Sequence, residues 1–295
     1  MPVKCLFALL LQGCLLLSGL GQLHAQPTQP LPQLIIIIDD IGNNYQLGKR
    51  IVDLPAPMTL AFLPHTPFAA KLAEQSYLSG KDNILHAPME NTVEAPLGPG
   101  ALTQDMNQQA FTSTLNTSIA AIPHIQGINN HMGSALTQLP EPMNWVMDTL
   151  KQHQLYFIDS LTTSQSVGFQ LAKQHDIPVL KRDVFLDNDV SAEALEKQWQ
   201  QAVRLARKRG HAVLIGHPYK ETSAFLQQAI PELENVELIT AADFLLRQAW
   251  HAFASNEALP YNRYWLNQHK KIQRIDNNKN QKQSQYDATL ISQLP

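Results

Sequence analysis

Residues 34–40 read Leu-Ile-Ile-Ile-Ile-Asp-Asp, an unbroken apolar run that ends in two carboxylates. The four consecutive isoleucines are β-branched and favour an extended strand over a helix. Because the run does not alternate between apolar and polar residues, it is typical of a strand that is buried on both faces, as in a parallel sheet. The stretch therefore predicts a parallel α/β fold whose first strand ends in a pair of aspartates.

The same pattern recurs along the chain, where amphipathic stretches typical of helices follow most of the apolar runs. The predicted strands are Leu34–Ile38, Met58–Leu63, Asn83–Leu85, His124–Ile128, Leu155–Ile158, Pro178–Leu180, Ala212–Ile215 and Val236–Ile239. The clearest helix covers residues 191–209, with Ser191 as its N-cap and Gly210 as its stop. Eight strand–helix units predict a single distorted (β/α) barrel of about seven to eight strands. An open doubly wound sheet is the alternative.

The two ends of the chain differ from this central region. Residues 1–25 combine Lys4 with an apolar run that ends near Leu17, which is the pattern of a cleaved secretory signal peptide. An uncleaved anchor and a lipoprotein signal at Cys14 are the alternatives. We assign residues 26–32 to a linker, 33–253 to the barrel and 254–295 to a polar, largely disordered tail. These assignments predict an exported protein, periplasmic or extracellular, without stable membrane insertion after signal cleavage.

Composition narrows the range of functions. The 295 residues carry a formal net charge of -3, which lacks the basic field that nucleic-acid binders usually have. The two cysteines, Cys5 and Cys14, both lie in the predicted signal peptide. The predicted mature chain therefore has no disulfide, no thiolate metal site and no cysteine nucleophile. Any metal must be held by His, Asp or Glu side chains.

Polar residues follow seven of the eight predicted strands, at the carboxyl ends where a parallel barrel gathers its active site. Adjacent strand residues point in opposite directions, but the chain turns at a strand end, so Asp39 and Asp40 can reach one site. One of them can bind a metal while the other acts as a base; capping of the next helix is the alternative. The residues after the other strands are His65, His86 with Glu90, Asn129-Asn130-His131, Asp159-Ser160, Lys181-Arg182-Asp183 and His217.

Histidines and carboxylates on one face predict a metal site. His86, His131 and His217 each follow an apolar strand, and imidazole together with the carboxylate of Asp40 suits Zn²⁺ or Fe²⁺. Each histidine taken alone also fits a buried structural role. Glu90 follows His86 by four residues and is a further candidate ligand, or a partner of one.

Other polar residues allow two interpretations each. Arg182 beside Asp183 can keep a catalytic carboxylate ionised or form a structural ion pair. Asp159 and Ser160 can line the site or cap the next helix. The Asp187-Asn188-Asp189 segment is predicted to cap the helix of residues 191–209.

Several of these segments resemble the divergent polysaccharide deacetylase family, in motif order and over about residues 33–250. They are Asp39-Asp40, His86-Ala87-Pro88-Met89-Glu90, Asn129-Asn130-His131-Met132-Gly133-Ser134, Phe157-Ile158-Asp159-Ser160, Arg182-Asp183-Val184-Phe185-Leu186-Asp187 and Ile215-Gly216-His217-Pro218. The family is similar to the larger polysaccharide deacetylases, which have a distorted (β/α) barrel and a metal-dependent carbohydrate esterase site. The resemblance implies a hydrolase that deacetylates an envelope polysaccharide or peptidoglycan-type glycan with a divalent metal ion, zinc being the first candidate.

The resemblance also implies roles for individual residues. Asp39 would be the catalytic base, Asp40 a metal ligand and His217 the general acid. Glu90 stands where the larger family has a second histidine, so that the third ligand is His131 or Glu90. The larger family's Arg-Pro-Pro motif is replaced here by Asn130-His131-Met132-Gly133. The remaining candidates are Arg182, Asp183 and Asp159 for catalysis, and Asn130, His65 and Ser160 for substrate binding.

Two other functions fit the same residues. A barrel with this altered metal motif could bind envelope polysaccharide or peptidoglycan without turnover, and metal content would separate that function from deacetylation. A metal-free glycosidase could use Asp39 with Asp159 or Asp183, if the carboxyl groups lie roughly 5–5.5 Å or 6.5–9.5 Å apart.

Overall fold

The computed structural model describes residues 30–254; the predicted signal peptide, most of the linker and nearly all of the tail lie outside the described residues. Within this range the strands are β1 (Gln33–Ile41), β2 (Thr59–Phe62), β3 (Asp82–Met89), β4 (Ile125–Met132), β5 (Tyr156–Asp159), β6 (Val179–Lys181), β7 (Val184–Phe185), β8 (His211–Gly216) and β9 (Glu237–Leu238). The α-helices are α1 (Tyr45–Val52), α2 (Ala69–Leu78), α3 (Gln108–Ala121), α4 (Pro140–His153), α5 (Gly168–Gln174), α6 (Ala192–Arg209), α7 (Lys220–Ala229) and α8 (Ala241–Ala254), and a 3-10 helix covers Leu136–Gln138. None of the helices between residues 30 and 254 has both the length and the apolar composition that a membrane crossing needs.

The strands form one parallel sheet in the order β6-β5-β4-β3-β2-β1-β8-β7. Six of them follow the chain order without the reversal that defines a doubly wound sheet. In the described part of the chain β6 and β7 do not pair, so the barrel is open at that seam. The predicted distorted (β/α) barrel is therefore confirmed.

The last predicted strand exists, but it is shorter than expected and does not continue the main strand order. The segment Val236–Ile239 contributes only the two-residue β9, which pairs beside the start of β1, outside the main strand order. The strand that completes the order is β7, which also has two residues and which the sequence pattern did not reveal. A strand this short carries no hydrophobic period, so its sequence could not be told from the loop around it.

Alternate residues of each strand face two separate cores, because the side-chain period of a strand is two. On β1, Ile36 and Ile38 pack outward with the helices, whereas Ile35 and Ile37 point into the barrel. This double burial explains the continuous isoleucine run. The inward series on the other strands contains Ile84 on β3, Tyr156 and Ile158 on β5, Leu180 on β6, and Val213 and Ile215 on β8. The same alternation decides which polar residues at the strand ends enter the barrel mouth.

Helix α8 closes the opposite end of the barrel. Its residues Phe244 and Leu245 join the inward-facing core. Asp82, at the start of β3, is a buried carboxyl group near this end of the barrel. Its Oδ2 accepts hydrogen bonds from the Tyr156 hydroxyl, from Thr59 Oγ1 (3.0 Å) and from the backbone N of Ala242 (3.1 Å). Burial raises the pKa of Asp82 to about 7, against the lowering effect of these hydrogen bonds.

Replacing Asp82 with asparagine should flatten the pH dependence of stability. Because the folded-state pKa of Asp82 is raised from 3.8 to about 7, the folded state binds this proton more tightly than the unfolded state. The contribution of Asp82 to stability therefore falls as pH rises through that window. Between about pH 4 and pH 8, wild-type protein should lose roughly 4 kcal/mol more unfolding free energy than Asp82→Asn, at about 1.4 kcal/mol per pKa unit. Denaturant titrations of both proteins measure the difference, and parallel pH profiles would contradict it.

Candidate metal centre and active site

Strand β1 ends in an irregularity that directs two carboxylates to one place. Its register with β2 shifts between Ile38 and Ile41, which is the signature of a β-bulge. Asp39 continues the inward series of the strand. Asp40 has a φ of 59°, a left-handed conformation that few residues other than glycine adopt, and this turn brings its carboxylate beside the same histidine that Asp39 approaches. The predicted convergence of the pair through a turn at the strand end agrees with this geometry.

The loop after Asp40 is packed tightly against its neighbour. Gly42 has a φ of 138°, and a Cβ atom added there would lie 2.0 Å from Thr66 Oγ1. The backbone N of Phe68 donates to the Gly42 carbonyl over 3.0 Å. Only glycine satisfies both the backbone conformation and the close approach, so this position fixes the loop that carries Asp40.

Asp40, His86 and His131 form a group of three metal-type ligands. Asp40 Oδ1 lies 3.1 Å from His86 Nε2 and 2.9 Å from His131 Nδ1, and the two ring nitrogens are 3.1 Å apart. One donor atom from each residue falls within 4.8 Å of the others. His86 is buried, while Asp40 and His131 are partly exposed, so the group opens toward the barrel mouth.

The donor set fits a divalent cation. Among the described residues Asp40 Oδ1 is buried without a hydrogen-bond partner of normal geometry, although two ring nitrogens surround it. Burial would raise the pKa of Asp40, but the neighbouring His131 and His86 outweigh burial and hold that pKa far below its usual range. The oxygen is therefore an ionised acceptor with no proton to share. Two imidazoles, one carboxylate and an open side are typical of catalytic zinc and iron sites.

Asn129 connects this group to Asp39. Its Nδ2 donates to Asp39 Oδ1 over 2.7 Å, and since a carboxylate only accepts, the amide orientation is fixed. Asn129 Oδ1, 2.7 Å from His86 Nδ1, must then accept the proton on that nitrogen. In the neutral ring the lone pair consequently lies on Nε2, which is the nitrogen that faces Asp40 and His131. Asn129 thus selects the tautomer of His86 that can bind a metal.

Charge at the centre is set by burial and by pairing. Burial raises the pKa of Asp39, although His86 and His217 oppose that effect. Burial would lower the pKa of His86, but Asp39 and Asp40 outweigh it and raise the pKa to about 9. Without a cation, the imidazolium of His86 therefore pairs with the carboxylate of Asp40. A bound cation would take that role and displace the proton.

His217 enters the mouth from the end of β8 and is fixed by Asp187. Asp187 Oδ1 lies 3.0 Å from His217 Nδ1, and Asp187 Oδ2 accepts from the backbone N of His217 (2.6 Å) and from Thr222 Oγ1 (2.7 Å). The Nδ1 atom therefore carries a proton, and Nε2 faces Asp40 Oδ2 at 3.9 Å. Burial alone would lower the pKa of His217, but Asp187 outweighs it and the pKa is raised. A protonated Nε2 pointing into the mouth suits a general acid.

The interpretation of Asp187 as a helix cap was wrong. Its carboxylate is buried and binds His217, whereas Asp189 Oδ1 accepts from the backbone N of Ser191 before α6. The Ser191 cap itself is confirmed, since its Oγ accepts from the backbone N of Ala194. Strand β7 was missed from the sequence, and with it the alternation that turns Asp187 inward.

Arg182 points into the barrel, but its guanidinium is largely engaged. Its Nε donates to the Ser160 carbonyl (2.7 Å), one terminal nitrogen donates to the Leu161 carbonyl (2.8 Å), and the group lies 5.2 Å from the Phe185 ring centre. The positive charge also lies within electrostatic reach of Asp39. Arg182 therefore joins the wall of the site and links the β5 and β6 loops.

Asp159 and Asp183 face away from the mouth. Asp159 Oδ2 accepts from Ser166 Oγ (2.7 Å) and from the backbone N of Phe169 (3.0 Å), so it caps α5 on the outer side of the sheet. Asp183 pairs with Arg209 at the end of α6 and accepts from the backbone N of Val213. Both carboxylates are thus bound to groups other than Asp39, whereas a two-carboxylate glycosidase would need one of them to face Asp39 across the substrate.

The remaining candidates border the site to different degrees. Glu90 accepts from Gln104 through both carboxylate oxygens, so it lies apart from the three ligands. Asn130 braces two loops, accepting from the backbone N of Ser160 and donating to the Met132 carbonyl. The Ser160 hydroxyl is buried without a partner among the described residues. His65 is an exposed loop residue with a φ of 57°.

The fold and the site together describe a (β/α)-barrel protein with an Asp–His–His ligand group at the carboxyl ends of its strands. The sequence model of the divergent polysaccharide deacetylase family matches residues 36–245, and the chain belongs to this family.

Relatives from two bacteria match most of the barrel. The uncharacterized protein YibQ of Escherichia coli K12 is 32% identical over 214 residues, which are 72% of this chain and 67% of that protein. An uncharacterized protein of Haemophilus influenzae is 32% identical over 208 residues, 70% of this chain and 74% of that protein. A crystal structure of an uncharacterized protein from Agrobacterium tumefaciens C58 superposes with a TM-score of 0.69 at 20% identity, over 73% of this chain and 89% of that one. This last likeness supports the fold.

Proposed function

We propose that the protein is a metal-dependent carbohydrate deacetylase. The observation that carries this proposal is the convergence of Asp40, His86 and His131, with Asp39 and His217 beside them. Membership of the divergent polysaccharide deacetylase family supports a glycan as the substrate. A divalent cation held by the three ligands would polarise the acyl carbonyl and lower the pKa of a water molecule.

The residues of the chain supply the proton transfers. Asp39, held by Asn129, takes a proton from the attacking water, and its burial favours proton uptake. His217, held by Asp187, donates a proton from Nε2 to the departing amine or alkoxide. Base and acid thus stand on two neighbouring strands, β1 and β8, and the acyl group would lie between them.

Zinc is the first candidate for the cation, because a carboxylate and two imidazoles leave it a free coordination position. The signal-like residues 1–25 support export, so we infer that the substrate is an envelope polysaccharide or a peptidoglycan-type glycan.

Removal of metal tests this function. Purified mature protein supplied with zinc should release acetate from a β-1,4-linked hexamer of N-acetylglucosamine or from acetylated peptidoglycan. Treatment with a chelator should reduce the release at least about tenfold, and added zinc should restore it, because a bound cation would polarise the acyl carbonyl and ease removal of the water proton by Asp39. Acetate release that a chelator does not affect would refute the metal-dependent scheme. Glycan binding without release at any metal concentration would support the carbohydrate-binding alternative.

A further inference from the structure

An aromatic pair encloses the candidate acid His217. The ring of Phe185 lies 5.2 Å from the imidazole centre, and the ring of Tyr219 lies 5.4 Å from it. The interplanar angles are 39° and 33°, so both rings are tilted toward the imidazole. Phe185 is partly buried beneath Arg182, whereas Tyr219 is 44% exposed. Of the two rings, Tyr219 is the one that presents more of its surface to solvent.

The side chain of Tyr219 contributes little to holding the fold together. It occupies the N-cap position of α7 with an extended backbone, and its side chain makes no capping hydrogen bond. In the described part of the chain its hydroxyl group takes part in no hydrogen bond. Burial and the charges of Asp187 and Asp40 raise its pKa, which shows that the phenol lies within electrostatic reach of the catalytic group. The exposed ring of Tyr219 therefore lies beside the proposed acid without a capping hydrogen bond that would account for its place.

We propose that Tyr219 is the stacking surface for the sugar ring that carries the acyl group; the inference rests on the proposed function. Pyranose rings present a face of C–H groups that packs on an aromatic ring and excludes water from both. The proposed mechanism assigns Asp39, Asp40 and His217 to the attacking water, the cation and the leaving atom, so none of the three would hold the sugar ring itself. Tyr219 would therefore give the site its preference for acylated sugars over simple acyl esters and amides.

Calorimetry separates this role from catalysis. In the background of Asp39→Asn, which should block turnover, Tyr219→Ala should weaken binding of the N-acetylglucosamine hexamer roughly fivefold, whereas Tyr219→Phe should bind within about twofold. Tyr77 is the matched control, because it stacks on His124 at the other end of the barrel. Tyr77→Ala should bind like the parent. Circular dichroism confirms that each variant is folded.

Steady-state kinetics of the Tyr219 variants with Asp39 intact tests whether Tyr219 acts through His217 instead of through the sugar. For the hexamer, Tyr219→Ala should raise KM much more than it lowers kcat, and it should reduce hydrolysis of a small aliphatic acetyl ester far less than hydrolysis of the hexamer. Equal hexamer affinity in all variants, or no affinity in the parent, would overturn the inference. A loss of ester hydrolysis equal to that on the hexamer would overturn it too, since Tyr219 would then act on His217. Binding that depends on Tyr219 without acetate release would instead overturn only the deacetylase function.

Discussion

Asp40→Asn should remove metal binding from a protein that still folds. Asparagine tolerates the left-handed conformation of this position, so the change takes away the charge without straining the bulge further. His86 and His131 alone would offer two neutral ligands in place of three with a charge. We expect zinc affinity to fall by at least about 100-fold, beyond the range seen when outer-sphere partners of a metal are lost. Zinc titration followed by calorimetry measures the affinity, and acetate release should fall with metal occupancy.

Glu90→Gln is the matched control, because it is the same carboxylate-to-amide change at the other candidate ligand. Glu90 binds Gln104 through both of its oxygens, and its position leaves the ligand group intact. Its variant should therefore keep wild-type zinc affinity and acetate release. A loss of zinc in Glu90→Gln with retention in Asp40→Asn would reverse the assignment of the third ligand that the geometry supports.

The sequence was most informative where the strands were long. Four isoleucines before Asp39 and Asp40 were sufficient to predict a doubly buried parallel strand and a turn that unites two carboxylates. His86 and His131 follow equally clear apolar runs, and their rings meet Asp40 as expected. In each of these cases the sequence shows both that the strand is buried and where it ends. The position of a residue along the strand then determines the face toward which its side chain points.

The site residues that were wrongly predicted or overlooked depend on which face of its strand each side chain occupies. Asp159 was a candidate for the mouth, but it stands one residue out of phase with the inward-facing Ile158. Asp183 was another, but it precedes the short β7 and its carboxylate binds Arg209 and the backbone N of Val213. Asn129 lies two residues before His131 on β4 and therefore faces the same side. This spacing could have identified Asn129 as a site residue from the sequence. Asp187 could not be placed by the same reasoning, because β7, which ends two residues before it, is too short to show a period.

Asp39→Asn should leave metal binding intact and remove most of the activity. The Asn129 amide can still donate to the oxygen of the new side chain, so the Asn129–His86 connection that orients the metal ligand survives. The variant has no carboxylate to take the proton of the attacking water, and loss of a general base typically slows a reaction about 10²–10⁴-fold. We expect kcat to fall by that factor with KM little changed, while zinc affinity stays within about threefold of wild type. Together with Asp40→Asn, the comparison separates the two adjacent carboxylates by function: one change abolishes the metal and the other the proton transfer. Equal loss of zinc in both variants would show that Asp39 is itself a ligand, and full activity of Asp39→Asn would assign the base to another residue.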